Sequence, residues 1–176
     1  MLRGGGWTKL ASYALTSPTD SLQIPVPSGY DVLKYTILYF ALNKRSGYTG
    51  SLFFRVDFID PSKVYDFVDG SQVVNEFSSS SITTSQTSMP MNSSYNYLSL
   101  DLSRANYGCL SGYVIKSTLA FNYFAHNFSG QLTVSSKDGN VATDMNFLTS
   151  MSYCTLYSNS QNLQPDTMYI IEGMKL

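Results

Sequence analysis

Residues 32–42 read VLKYTILYFAL, the most apolar run in the chain, and no other segment constrains the fold as strongly. Leu33, Tyr35, Ile37, Tyr39 and Ala41 alternate with Val32, Lys34, Thr36, Leu38 and Phe40, as they must where successive side chains point to opposite faces of a sheet. The length would also suit a helix. However, β-branched and aromatic residues dominate, and turn residues flank the run: Ser28-Gly29 before it and Arg45-Ser46-Gly47 after it. The run is therefore predicted to be a strand at the centre of a sheet.

The rest of the chain follows the same pattern. Glutamate occurs only at positions 76 and 172, helix-favouring residues are scarce, and Tyr (14) and Phe (10) are abundant. Residues 8–15 alternate with Leu10, Tyr13 and Leu15 as inward positions, and a short strand over 21–24 runs into the turn Pro25-Val26-Pro27-Ser28-Gly29-Tyr30. Over 51–58, Leu52, Phe54, Val56 and Phe58 oppose Phe53, Arg55 and Asp57, and the Gly47 to Gly50 turn should pair this strand with 32–42. Further strands are expected at 64–68, 73–77, 97–102, 113–121, 131–135, 151–157 and 168–174, with turns at Ser111-Gly112, Asp138-Gly139-Asn140 and Pro165-Asp166. The serine run 78–81 reads as loop. About ten short strands without an amphipathic helix call for an all-β fold, a two-sheet antiparallel β-sandwich with no significant helix. The expected organisation is a flexible N-terminal arm over 1–7 and a single domain over 8–176.

Charge and chemistry narrow the function classes. Charged residues make up 13% of the chain and the net charge is -1, with no clustering of Lys and Arg, so no nucleic-acid partner is expected. No apolar run has membrane-spanning length, and no signal peptide is visible, so no membrane association is expected either. His126 is the only histidine, which removes His-based metal cages and leaves a catalytic triad without a local motif. Cys109 and Cys154 lack the spacing of zinc or redox motifs; their separation permits one disulfide, but without a visible secretory signal they read better as buried free thiols. Asp57, Asp60, Asp66 and Asp69, with Asp101, could serve calcium or glycoside hydrolysis but read better as turn residues. Gly4-Gly5-Gly6 precedes a strand, which rules out a helix-terminus phosphate cradle. No enzyme activity, cofactor or metal is expected. Aromatic side chains beside turns remain as candidate subunit or ligand contacts: Tyr30, Tyr48, Tyr95, Tyr107 and Tyr123, together with Trp7.

Taken in order, these segments resemble the jelly-roll surface proteins of tailed-bacteriophage virions, the capsid decoration or cement proteins and tail-fibre tip domains. The resemblance rests on Trp7 in the opening segment, Ile24-Pro25 and Tyr30-Asp31 before the long apolar strand, Leu52 to Asp57 with its Arg55, and the close Ile170-Ile171-Glu172-Gly173-Met174-Lys175. It implies a jelly-roll-like sandwich in a homotrimeric structural protein on the virion surface. Its partners would be its own copies and the major capsid protein or other virion proteins, and it would stabilise the shell by bridging coat subunits. The alternative it implies is a receptor- or carbohydrate-binding module of a tail fibre or tail tip, with a host-surface glycan as partner.

Overall fold

The computed structural model describes residues 6–43, 52–59, 67–77, 82–88, 97–101, 106–115, 118–126, 132–141, 147–158 and 160–176. Among them the strands are β1 (Thr8–Ala14), β2 (Ser21–Pro25), β3 (Val32–Asn43), β4 (Leu52–Phe58), β5 (Phe67–Phe77), β6 (Ile82–Ser88), β7 (Tyr97–Asp101), β8 (Tyr107–Val114), β9 (Thr118–His126), β10 (Leu132–Val141), β11 (Met151–Ser158), β12 (Gln161–Leu163) and β13 (Met168–Met174). A four-residue helix, α1 (Phe147–Ser150), leads into β11. Among the described residues no helix is long and apolar enough to cross a membrane.

The strands form two antiparallel sheets. The larger has nine strands in the order β1-β13-β3-β8-β9-β10-β5-β6, with β12 pairing beside β13 on the far stretch of β3; the smaller has the order β2-β11-β4-β7. The chain crosses between the sheets from β1 to β2, β2 to β3 and β3 to β4, so neighbours within a sheet are mostly distant in sequence.

One core joins the two sheets. Leu33, Tyr35, Ile37, Tyr39 and Ala41 of β3 are buried, as their alternation predicts, with Leu110 and Val114 of β8 and Ile171 of β13. The small sheet answers with Leu22 and Ile24 of β2, Leu52, Phe54 and Val56 of β4, and Cys154 and Leu156 of β11. Each fully buried large side chain stabilises the sandwich by about 1.5–3 kcal/mol.

The closing turns are specific. Gln164 to Thr167 form a turn in which the Thr167 N–H donates to the Gln164 carbonyl at 3.2 Å. Pro165 presets its first central residue, and Asp166 takes φ 72° at the second, the combination of a type II turn. Thr167 is wholly buried; its Oγ1 accepts from the Phe40 N–H and donates to the Phe40 carbonyl, both at 3.1 Å, tying this turn to β3. The expected reversal at Ser28-Gly29 is also present, with Gly29 at φ 82°.

Several expectations are corrected. β4 does not pair with β3; it lies in the other sheet between β11 and β7. Residues 113–121 are not one strand but the facing ends of a β8–β9 hairpin, in which Val114 pairs with Leu119. The alternation of this segment runs on through the reversal without Gly, Pro or Asn, so the pattern hides the turn. Ser111-Gly112 and Asp138-Gly139-Asn140, read as turns, lie inside β8 and β10; Gly139 pairs with Gly70 and Leu119. Residues 67–68 of the strand expected over 64–68 and the strand expected over 73–77 belong to one strand, β5, with 64–66 outside the described residues, and the Thr-rich β6 and short β12 were not anticipated. In β1 the register shifts between Lys9 and Ala11, so Leu10 is an extra residue packed on the core, and Tyr13 stays 46% exposed on the edge strand.

Candidate functional site

Residues directly opposite each other in a sheet share a face, so pairing alone assembles the outer face of the larger sheet. Lys9 pairs with Glu172, Glu172 with Lys34, and Lys34 with Tyr113, a row across β1, β13, β3 and β8. One row further along come Ile170, Thr36 and Ser111; then Met168, Leu38 and Cys109; then Phe40 opposite Tyr107. Leu42 follows on the same face of β3. Of these, Leu38 (44%), Leu42 (37%) and Tyr107 (41%) are exposed, and Phe40, Met168 and Cys109 are half-buried.

The first row carries the face's polar chemistry. Lys34 Nζ donates to Glu172 Oε2 at 2.7 Å and sits 5.7 Å from the centre of the Trp7 ring. The hydrogen bond to Glu172 holds the Lys34 ammonium above its ordinary range, against the pull of desolvation. Trp7 in turn lies 6.0 Å from Tyr113, the planes inclined at 48°. Trp7, grouped with the N-terminal arm by sequence, is thus laid against the sheet, and both rings keep large exposed surfaces, 41% and 48%.

The other expected contact residues do not join this face. Tyr30 packs over Gly173 at one end of the sandwich, with Lys175 Nζ 5.6 Å from its ring. Tyr123 is not beside a turn but within β9, opposite the core position Leu110. Tyr48 and Tyr95 lie outside the described residues. Tyr107 and Trp7 are the two that the structure brings to one face. The sequence reading missed Tyr113, Leu38, Leu42, Lys34 and Glu172; the signal was present in Lys34 and Leu38, which share one alternation set, but the pairing of β3 with β13 and β8 cannot be read from spacing.

The remaining candidates separate. Asp57 lies on β4 beside Arg55, whose guanidinium forms an ion pair with it and is held above its ordinary range by that bond. Asp69 belongs to the larger sheet and Asp101 to β7, while Asp60 and Asp66 lie outside the described residues. On the same outer face of the small sheet, Phe53 stacks on Tyr157 at 5.4 Å. His126 closes β9 opposite Tyr107. The two cysteines are free; Cys154 faces the core, whereas Cys109, expected to be buried, is half-exposed on the outer face beside Leu38.

A depression of about 1070 Å³ opens at one end of the sandwich, walled by Val26, Tyr30, Ile59, Ile115, Leu148 and Met151. Asp31 supplies the one charged side chain among its described lining, and its Oδ2 accepts the Leu176 N–H at 2.9 Å. No protein-family model, curated protein or solved structure matches the chain significantly.

Proposed function

We propose that the chain is a non-enzymatic structural protein of a tailed-bacteriophage virion, a capsid decoration or cement protein that works as a homotrimer on the particle surface and bridges coat subunits. The observation that carries this reading is the exposure of Leu38, Leu42 and Tyr107 on one face of the larger sheet, with Phe40 and Met168 half-covered among them. A sheet with one solvated face normally turns polar residues outward. This one turns apolar and aromatic residues outward over the second half of β3, the composition of a protein contact.

Connectivity supports the jelly-roll part of the reading. With β5, β6, β9, β10 and β12 set aside, the sheets read β1-β13-β3-β8 and β2-β11-β4-β7, four strands facing four, which is the order that two interleaved Greek keys produce. The resemblance to virion surface proteins carried by Trp7, Ile24-Pro25, Tyr30-Asp31, Leu52 to Asp57 and Ile170 to Lys175 supplies the biological setting.

The test uses particles assembled without the protein. Adding the wild-type protein is expected to restore resistance to heat and low salt, and Leu38→Asp/Tyr107→Asp, which alters only exposed positions, is expected to bind poorly and restore little. Particles equally robust without the protein, or undiminished binding of the variant, would overturn the reading.

A further inference from the structure

The row Lys9, Glu172, Lys34 and Tyr113, with Trp7 against its last member, differs in kind from the apolar stretch at the other end of β3. The Trp7 and Tyr113 ring centres lie 6.0 Å apart with their planes inclined at 48°, and both rings remain about half exposed. An ion pair borders it directly: Lys34 Nζ is 5.7 Å from the Trp7 ring and 2.7 Å from Glu172 Oε2. The centre of a protein contact is depleted of charge, which makes this corner a poor one for a coat subunit. A sugar has the matching needs, because its C–H face packs on aromatic rings while its hydroxyls require donors and acceptors at the rim. An ammonium has three donors, so Lys34 retains hydrogens for a hydroxyl while it holds Glu172, and the Glu172 carboxylate can accept from another.

Charge selects among sugars. Lys9, exposed and opposite Glu172, adds a second cation beside one carboxylate, so the row carries a net positive charge. We propose that Trp7, Tyr113, Lys34, Glu172 and Lys9 form a binding site for a carboxylated sugar, such as a hexuronate unit of an acidic polysaccharide. The sugar ring lies on Trp7 and Tyr113, its hydroxyls meet Lys34 and Glu172, and its carboxylate faces Lys9. Lys34 and Leu38, the nearest member of the apolar contact surface, are four residues apart on one strand, roughly 13 Å, so the site and that surface can be altered separately. The inference goes beyond the particle-binding reading, and either can fail while the other stands.

Trp7 is the only tryptophan in the chain, so its fluorescence reports on this site alone. The intact protein is titrated at low salt with a glucuronate-containing oligosaccharide and with a neutral glucose oligosaccharide of equal length. A saturable change in emission is expected, at lower concentration for the acidic sugar, and the difference should shrink as salt is added. Tyr113→Ala, at a half-exposed position, is expected to weaken binding about three- to tenfold. Lys9→Gln is expected to abolish the preference for the acidic sugar, with unfolding midpoints confirming that both variants remain folded. No saturable change up to about 10 mM of the acidic sugar, equal responses to both sugars, or unaltered binding by Tyr113→Ala would each overturn the proposal.

Discussion

A methyl group added at Gly173 would lie 2.6 Å from Leu10 Cδ1 and 2.7 Å from Tyr30 Cδ1, closer than real side chains approach. The extra residue that the β1 bulge pushes onto the core and the tyrosine that ends the β2–β3 turn both use the space this glycine leaves. Gly29 is special for another reason: nothing lies within 4 Å of its missing Cβ, but its φ of 82° strains any other residue. Gly173→Ala is expected to destabilise by about 1–3 kcal/mol through overpacking. Gly29→Ala should lose about 1–2 kcal/mol through the backbone alone. Urea unfolding of both variants, each with and without Leu10→Ala, separates the causes. Leu10→Ala should offset part of the Gly173→Ala loss and none of the Gly29→Ala loss. Gly173 and Tyr30-Asp31 stand out in the sequence as separate motifs; that they pack together follows from β13 entering beside β3, which puts the Asp31 N–H 3.0 Å from the Met174 carbonyl.

At the scale of elements, the larger sheet outgrows its partner. β9 and β10 extend it beyond β8, and β5 and β6 extend it again from β10. β4 ends where β7 begins, with Asp57 paired to Tyr97, so the segment carrying β5 and β6 leaves one strand and returns to its neighbour. Replacing residues 60–95 with a short Gly-Ser turn is therefore expected to preserve cooperative unfolding, with the melting temperature within about 10 °C of the parent, since the loop to be closed becomes shorter. Loss of the unfolding transition, followed by circular dichroism, would show that the extension is integral to the core. These outer elements are also where sequence reading succeeded least. β3, β4, β11 and β13 show clean alternation because one face of each is buried in the shared core. β5, β6 and β10 carry Ser, Thr, Asn, Asp and Gly at positions that read as turns, and they are strands through pairing with one another. Pairing is a tertiary property and leaves no local trace. The candidate site was half legible for the same reason: Trp7 and Tyr107 stand out by type, whereas Lys34, Glu172 and Tyr113 become a group only across three strands.

For the molecule as a whole, stability should depend on alkaline pH in one direction. Burial pushes the Cys154 thiol well above its ordinary 9.0 and the Tyr35 phenol well above 10.0; Cys109 and Tyr169 are raised by the same cause, and Lys34 is raised by Glu172. The folded chain keeps protons that the unfolded chain releases as pH passes each ordinary value. Stability is therefore fully present below about pH 9 and falls as pH rises, through the thiols first and the phenols next. Urea midpoints measured from pH 8 to 11 should decline, and Cys154→Ala should lessen the early slope by at most about 1.4 kcal/mol per pH unit. A midpoint flat across that range would contradict the burial of these groups.

The position of β13 between β1 and β3 has a consequence for how the protein is made. Among the described strands β1 pairs with β13 alone, so it waits without a partner until β13 has been made. At ordinary rates of synthesis that wait lasts roughly 10–30 s, during which the apolar half of β3 and the unpaired edge of β1 stand open to other nascent chains. A cell producing many copies at once meets its greatest hazard of aggregation in that interval, and chaperone binding to the growing chain would be timed by the emergence of β13.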